Sequence, residues 1–291
     1  MFINGPIIHR GDKILKRNAF NFPIILLIIF IVVAVSLWLA TGKVFYLFNF
    51  LYIGGIVSLG VTLSINKYRH SRLLVQLGVG LYMIVYLGLI LGENMQIEGF
   101  FYYLFLGAFQ AACIHYFVAK IAGPFIFGRG WCGYACWTAM VLDFLPYKIP
   151  INPRIKKLEI IRYIMFVGSF MLVATLFVLK EEDLEKNMLL LFIIGNAIYY
   201  FIGIMLAIVL KDNRAFCKYF CPITVFLKPA SYFSLIRVKV DVDKCINCKK
   251  CLKTCPMNVD ILDARRNRKN GTECILCLSC LNICPKKAIS V

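Results

Sequence analysis

The sequence predicts an α-helical polytopic membrane domain followed by a small α+β domain. Two observations support this fold class. First, 60% of the 291 residues are hydrophobic and the mean hydropathy is +0.77, which is far above the range of soluble domains. Second, residues 237–291 carry two copies of one cysteine pattern between short alternating stretches. We therefore divide the chain into an N-terminal anchor (1–21), a membrane domain (22–236) and a C-terminal domain (237–291).

The C-terminal domain contains the strongest motif of the chain. Residues 245–256 and 274–285 both read C-x-x-C-x-x-C-x-x-x-C-P. Bacterial ferredoxins hold two [4Fe–4S] clusters with this spacing, the fourth Cys of each run reaching the other cluster. The predicted ligands are Cys245, Cys248, Cys251 and Cys284 for the first cluster, and Cys274, Cys277, Cys280 and Cys255 for the second. A zinc site would not produce a doubled triplet-plus-one pattern, and a disulfide scaffold would need an oxidising compartment.

About six segments of the chain are apolar enough to cross a bilayer, which requires roughly 20 residues per helix. The predicted spans are Phe22–Ala40, Val44–Ile65, Leu73–Gly92, Phe100–Phe127, Ile160–Leu179 and Met188–Leu210. Gly54, Gly55, Gly78 and Gly80 lie within the second and third spans, where small residues allow helices to approach closely.

The distribution of charge predicts the orientation of the membrane domain. A formal charge of +18 is compatible with nucleic-acid binding, but most Lys and Arg residues lie beside the apolar segments. Acidic residues instead concentrate in the loops 93–98 and 180–186. The positive-inside rule then places both termini and the cysteine-rich domain in the cytoplasm, with lipid rather than nucleic acid as the partner. In that compartment the thiols stay reduced.

Three segments outside the spans have simple predictions. Residues 1–21 are basic, contain Pro6 and Gly11, and show no helical pattern. The amphipathic stretch Pro146–Arg162 is expected to run along the membrane surface. Arg237–Val242 and Ala288–Val291 are expected to form the first and closing strands of the C-terminal domain.

A second cysteine pattern follows the fourth and sixth predicted spans. Each copy has a basic residue, Arg129 or Arg214, then an aromatic residue and C-x-x-x-C. The duplication indicates an internal repeat. Two Cys at this separation can share one helical face. The four thiolates of Cys132, Cys136, Cys217 and Cys221 would suffice for a third [4Fe–4S] cluster or for a structural zinc ion.

The fourth predicted span also carries polar residues, namely Gln110, Cys113, His115 and Lys120. Polar groups at bilayer depth are costly and often functional. His115 is a candidate proton acceptor for a quinol, and a hydrogen-bonded structural role is the equal alternative. Cys113 is interpreted as a small buried hydrophobic residue.

These motifs resemble those of polytopic ferredoxin-type membrane proteins related to the NapH subunit of periplasmic nitrate reduction. Relatives of that family act in nitrous oxide reductase maturation and cytochrome oxidase assembly. The resemblance covers the third to sixth spans, both C-x-x-x-C stretches and the cysteine-rich domain. In the family these stretches usually end in Pro, as Cys221-Pro222 does and Cys136-Trp137 does not. The resemblance implies electron transfer between the quinone pool and a redox partner.

We therefore expect an electron-transfer subunit of an oxidoreductase complex in the cytoplasmic membrane, rather than a complete enzyme. Iron–sulfur clusters pass single electrons and perform no substrate chemistry themselves. The alternative is an assembly factor that binds or reduces a soft metal ion, such as Cu(I), at the C-x-x-x-C thiolates. A redox sensor is a third hypothesis, but it would need an output domain, which the sequence does not show.

Overall fold

The computed structural model describes residues 10–66, 68, 70–107, 111–179, 184–262 and 271–291. Most of these residues are helical, and a two-stranded sheet lies near the C-terminus. The α-helices are α1 (Arg10–Thr41), α2 (Val44–Ile65), α3 (Ser71–Leu81), α4 (Ile97–Phe105), α5 (Ala111–Tyr116), α6 (Gly123–Phe127), α7 (Gly130–Tyr134), α8 (Trp137–Leu142), α9 (Ile160–Val178), α10 (Leu184–Leu210), α11 (Ala215–Tyr219), α12 (Thr224–Tyr232), α13 (Lys250–Lys253) and α14 (Ser279–Ile283). π-Helical segments continue α3 over Tyr82–Ile90 and α5 over Phe117–Ala122, and a 3₁₀ turn at Lys156–Glu159 precedes α9.

Five helical stretches of the described chain are long and apolar enough to cross a membrane. They are Pro23–Thr41, Val44–Ile65, Ser71–Ile90, Lys156–Val178 and Lys186–Leu210. The predicted bounds of the second span agree with α2. The expectation that the N-terminal anchor lacks a helix is wrong for residues 10–21, because α1 begins at Arg10. This segment contains Leu, Lys, Arg and Ala, which favour helix formation.

The predicted fourth span is not a single helix. Helix α4 ends at Phe105, Gly107 adopts a left-handed conformation (φ +63°), and α5 begins at Ala111. Left-handed glycine commonly ends a helix, because it lets the chain turn while its last carbonyls find partners. The apolar helical stretch that follows, Cys113–Phe127, is shorter than the five long helices. Gln110 lies outside the described residues, as does the start of the acidic loop before α10.

The chain divides into two compact units, residues 1–79 and 80–291. In the first unit α1 packs against α2 at Gly54, where an added Cβ would lie 2.4 Å from Cβ of Phe30. Gly78 lies close to Ile56, whereas Gly55 has open space around it. Gly80 lies close to Met140 and Trp137. The expected role of small residues in close contact is therefore confirmed at Gly54, Gly78 and Gly80 and not at Gly55.

The second unit contains both cysteine patterns. Its sheet pairs β1 (Lys239–Val240) with β2 (Ile289–Ser290) in antiparallel register, Lys239 opposite Ser290 and Val240 opposite Ile289. The two predicted strands are therefore present, although shorter than expected. The sheet brings the start and the end of the C-terminal domain together, so that the two cysteine runs lie between its strands in sequence.

Candidate metal centres

Each set of predicted cluster ligands in the C-terminal domain lines its own cavity. The first cavity is lined by Cys245, Cys248, Cys251 and Cys284. The second is lined by Cys255, Cys274, Cys277 and Cys280, with Cys251 on the shared side. The structure thus brings together the residues that the spacing assigned to each cluster, including the fourth Cys that each run contributes to the other cavity. Thiolate-lined cavities of this kind fit two [4Fe–4S] clusters.

The two cysteine runs have the same local geometry. Left-handed backbone conformations occur at equivalent positions, in the pairs Asn247 and Leu276, Lys249 and Leu278, and Asn258 and Lys287. The backbone N–H of Val259 donates to Sγ of Cys255 (3.4 Å), and that of Ala288 donates to Sγ of Cys284 (3.3 Å). Hydrogen bonds to cluster sulfurs tune reduction potentials, so the duplicated geometry supports duplicated cluster sites.

The C-x-x-x-C stretches form two similar short helices. Helices α7 and α11 are each five residues long, and each follows directly on an arginine, Arg129 or Arg214. The expectation that each Cys pair shares one helical face is wrong. Cys132 and Cys217 lie inside the helices, but Cys136 is extended at the start of α8 and Cys221 follows the end of α11. Each helix ends at a tyrosine, Tyr134 or Tyr219, before the second cysteine of its pair. The chain therefore leaves the helix between the two cysteines.

Two buried arginines connect the repeated helices reciprocally. Arg129 Nη2, at the start of α7, donates to the carbonyl oxygen of Cys217 in α11 (3.2 Å). Arg214 Nη1, at the start of α11, donates to the carbonyl oxygen of Cys132 in α7 (3.1 Å) and lies 3.9 Å from Sγ of Cys217. Arg214 also forms an ion pair with Asp143. These reciprocal hydrogen bonds hold the two halves of the proposed third site against each other.

The thiols of Cys217 and Cys221 lie close enough to those of Cys132 and Cys136 for their charges to interact. Burial raises the pKa of the Cys217 thiol to about 12 and that of Cys221 to about 11. Metal binding would therefore displace protons from these thiols. Within the described ranges, no three His, Cys, Asp or Glu side chains converge closely enough to hold a single ion. A set of four thiolates fits either a [4Fe–4S] cluster or a zinc ion.

The third site shares an apolar wall with the second cavity of the C-terminal domain. Cys132 and Cys217 belong to one buried cluster with Met257, Val259 and Ile275, and Cys255 and Cys277 pack against it. Met257, Val259 and Ile275 also line the second cavity. The three cysteine sets therefore form a series, in which the second cavity lies next to both the first cavity and the membrane-domain site.

A glycine permits this close approach. An added Cβ at Gly133 would lie 2.2 Å from the carbonyl oxygen of Ile275, and the neighbouring Tyr134 hydroxyl donates to the carbonyl oxygen of Leu276 (3.1 Å). The loop of the second cysteine run thus rests directly on α7.

We expect Gly133→Ala to loosen this contact, because the methyl group cannot share space with a backbone oxygen, and such overpacking costs about 1–3 kcal/mol. The measurement is hydrogen exchange of residues 274–285 in the purified chain, which should accelerate. Gly168→Ala is the matched control, because Gly168 has open space around it and should show no change. Equal exchange in both variants would contradict the contact.

A buried network of charges also joins the C-terminal domain to the membrane domain. Glu273, next to Cys274, forms ion pairs with Arg129, Arg154 (3.0 Å), Arg162 (3.0 Å) and Lys228 (3.5 Å). Glu159 also pairs with Arg154, Arg162 and Lys228, so four cations surround two carboxylates. A [4Fe–4S] cube with four thiolates carries about two negative charges, which this excess of positive charge would balance. The sequence analysis did not predict this network. The one local indication was Glu273, an acidic residue directly before the predicted ligand Cys274.

His115 lies beside the first C-x-x-x-C stretch. His115 is buried, and its ring packs edge-to-face on the Trp131 ring with 5.3 Å between the ring centres. The ammonium group of Lys120 lies 5.2 Å from the centre of the Trp131 ring. Cys113 is buried in an apolar cluster with Phe100 and Tyr116, as its interpretation as a hydrophobic residue predicts. The role of His115 as a proton acceptor stays a prediction.

Comparison with protein families gives the class of protein that these sites indicate. A 4Fe–4S dicluster domain matches residues 237–285, and a 4Fe–4S binding domain matches residues 115–156 and 189–241. The second match contains both C-x-x-x-C stretches and the first contains both cysteine runs. The matches support a ferredoxin-type iron–sulfur protein with an electron-transfer role.

Individual relatives are distant. The chain is 25% identical to the uncharacterized protein MJ0749 of Methanocaldococcus jannaschii, over 60% of this chain and 70% of the relative. It is 28% identical to MJ0750 of the same organism, over 47% of this chain and 63% of the relative. It is 27% identical to the methylamine utilization ferredoxin-type protein MauN of Paracoccus denitrificans, over 44% of this chain and 48% of that protein. No solved structure matches the chain.

Proposed function

We propose that the protein carries electrons between a redox partner and the membrane through three [4Fe–4S] clusters in series. Cys245, Cys248, Cys251 and Cys284 hold the first cluster, Cys274, Cys277, Cys280 and Cys255 the second, and Cys132, Cys136, Cys217 and Cys221 the third. The observation that supports this most directly is the shared wall between the second cavity and the third cysteine set. Arg129, Arg214 and the cations around Glu273 provide positive charge, which favours the reduced, more negative clusters.

The iron content of the whole chain tests this proposal. Anaerobically purified protein should contain about twelve iron and twelve sulfide per chain. Cys136→Ala with Cys221→Ala should lower both by about four, because these partly exposed ligands can be removed without opening the apolar wall. The intact chain is the right material, since Met257 and Ile275 cover the third site.

The matched control is Cys113→Ala, which removes a cysteine outside all three sets and should leave the iron content unchanged. About eight iron in the unaltered chain would reject the third cluster, and one zinc per chain would make the site structural. Iron lost equally in the control would indicate misfolding rather than the loss of ligands.

The geometry gives less support to a metal-delivery or assembly role. Such a role needs a site that takes up and releases a single soft ion. Cys132 and Cys217 are 7% and 6% exposed and lie beneath the C-terminal domain. The thiols are therefore better placed to hold a permanent cluster than to exchange an ion.

In this proposal both termini and all three clusters lie on the cytoplasmic side, and the two parts of the interrupted fourth segment cross the membrane together. The orientation rests on the excess of Lys and Arg in the loops on that side. A NapH-type exchange with quinone, with His115 as the proton acceptor, is the corresponding proposal for the membrane end of the electron path.

Reporter fusions test the orientation. We expect a cytoplasmic reporter to be active after Val291 and a periplasmic reporter to be active within residues 181–186, because positively charged loops are retained in the cytoplasm. A fusion after Asn66 serves as an internal control and should report the cytoplasm. Periplasmic activity after Val291 would overturn both the orientation and the proposed compartment of the clusters.

A further inference from the structure

The two cysteine runs have equivalent backbones but different surroundings. Ile275 of the second run is 1% exposed, because the loop that carries it rests on Gly133 and Tyr134 of α7. Ile246 is the equivalent residue of the first run, and it is 58% exposed. The equivalent backbone segment is thus covered by α7 in the second run and exposed in the first.

The outward-facing copy is also the charged one. The first run, residues 245–256, contains Lys249, Lys250 and Lys253 and no acidic residue. The equivalent positions of the second run are Leu278, Ser279 and Asn282. The three lysines are exposed, and Lys249 and Lys250 line the first cavity together with Lys286. Of the two nearby aspartates, Asp241 is already paired with Lys244 at 2.8 Å.

We propose that the surface formed by Ile246, Asn247, Cys248, Lys249 and Lys250 docks an acidic electron-carrier protein. This inference rests on the proposed function, since it supplies the partner of the first cluster. One electron leaves the reduced carrier, which is thereby oxidised, and enters the first cluster, whose core is reduced from [4Fe–4S]²⁺ to [4Fe–4S]⁺; no proton or bond is exchanged. Cys248 is the exposed member of its ligand set, so docking here brings the carrier against the cluster itself.

An acidic protein fits this surface better than an anionic lipid does. Lysines alone would attract either partner over a distance of about a Debye length, roughly 10 Å at moderate salt. The exposed isoleucine at the centre of the surface adds an apolar anchor, and protein interfaces typically combine such a core with a charged rim. Its counterpart Ile275 shows that this backbone can be covered closely by a helix end.

Stopped-flow reduction by a plant-type [2Fe–2S] ferredoxin, a strongly acidic carrier, tests the proposal on the full chain. Lys249→Glu with Lys250→Glu should lower the second-order rate constant by about tenfold at low salt and flatten its dependence on ionic strength. Ile246→Ser should lower the rate constant severalfold and leave the salt dependence unchanged. Reduction by photoreduced deazaflavin, a small neutral reductant that needs no docking surface, should change far less than reduction by the ferredoxin, and it measures any effect of the altered charges on the cluster itself.

The matched charge control is Lys148→Glu with Lys157→Glu, which makes the same change of net charge at exposed positions outside the cysteine runs. An equal loss of rate in this control would show that only the net charge of the protein matters and would overturn the proposal. Unchanged rates in both surface variants would also overturn it. Loss of binding to phosphatidylglycerol vesicles without loss of the ferredoxin rate would assign the surface to lipid. Protein without iron would instead reject the proposed function.

Discussion

Replacing Cys251 and Cys277 together by alanine is expected to remove about eight iron atoms per chain and to abolish the EPR signal of interacting clusters. Cys251 lines both cavities of the C-terminal domain, and Cys277 lines the second. Each cube loses one of its four anchoring thiolates, and among the described residues the first cavity is lined by no fifth cysteine that could replace Cys251.

Iron analysis together with an EPR redox titration checks this result. The control Cys113→Ala keeps all predicted ligands and should retain both the iron content and the spectrum. The third site should retain about four iron in the double variant, because its cysteines are untouched. Unchanged iron and an unchanged spectrum in the double variant would show that the ligand assignment is wrong.

Glu273→Gln is expected to destabilise the attachment of the C-terminal domain by about 3–5 kcal/mol, the range found when one partner of a buried ion pair is removed. The side chain of Glu273 is 9% exposed and faces Arg129, Arg154 and Arg162. The neutral amide would leave these buried cations with less compensation. Denaturant-dependent hydrogen exchange of residues 274–285 measures the loss.

The matched control is Asp241→Asn, which breaks the solvent-exposed pair of Asp241 with Lys244 in the same domain and should have little effect. A second measurement distinguishes the electrostatic effect on the second cluster from a weaker attachment of the C-terminal domain. Removing a negative charge beside Cys274 should raise the reduction potential of the second cluster, because the reduced cube is the more negative form. An unchanged potential and unchanged exchange would mean that the network has no influence on the site.

The grouping of the cysteines of the C-terminal domain around two cavities was predictable because cysteine spacing is a local property of the chain. The cavities group Cys284 with the first run and Cys255 with the second, as the spacing predicted. The second span was equally predictable, since no charged residue interrupts the apolar stretch from Val44 to Ile65.

The interruption of the fourth segment was not predictable from hydropathy, because glycine is also frequent within membrane-spanning helices, so Gly107 alone does not mark a turn. The charge network around Glu273 was hidden for a different reason. Arg129 lies 144 positions away and Arg162 lies 111 positions away, and no local pattern connects residues at such separations. The reciprocal arginine bonds escaped prediction for the same reason.

The reciprocal hydrogen bonds of Arg129 and Arg214 can form only late in the synthesis of the chain. The carbonyl that accepts from Arg129 lies 88 positions later in the chain, and the carbonyl that accepts from Arg214 lies 82 positions earlier. During synthesis, α7 therefore emerges from the ribosome long before its partner α11, and the cover formed by Met257 and Ile275 is made later still. On the proposed function, iron and sulfide would therefore reach the third site after translation has passed α11 and before the C-terminal domain covers the thiols.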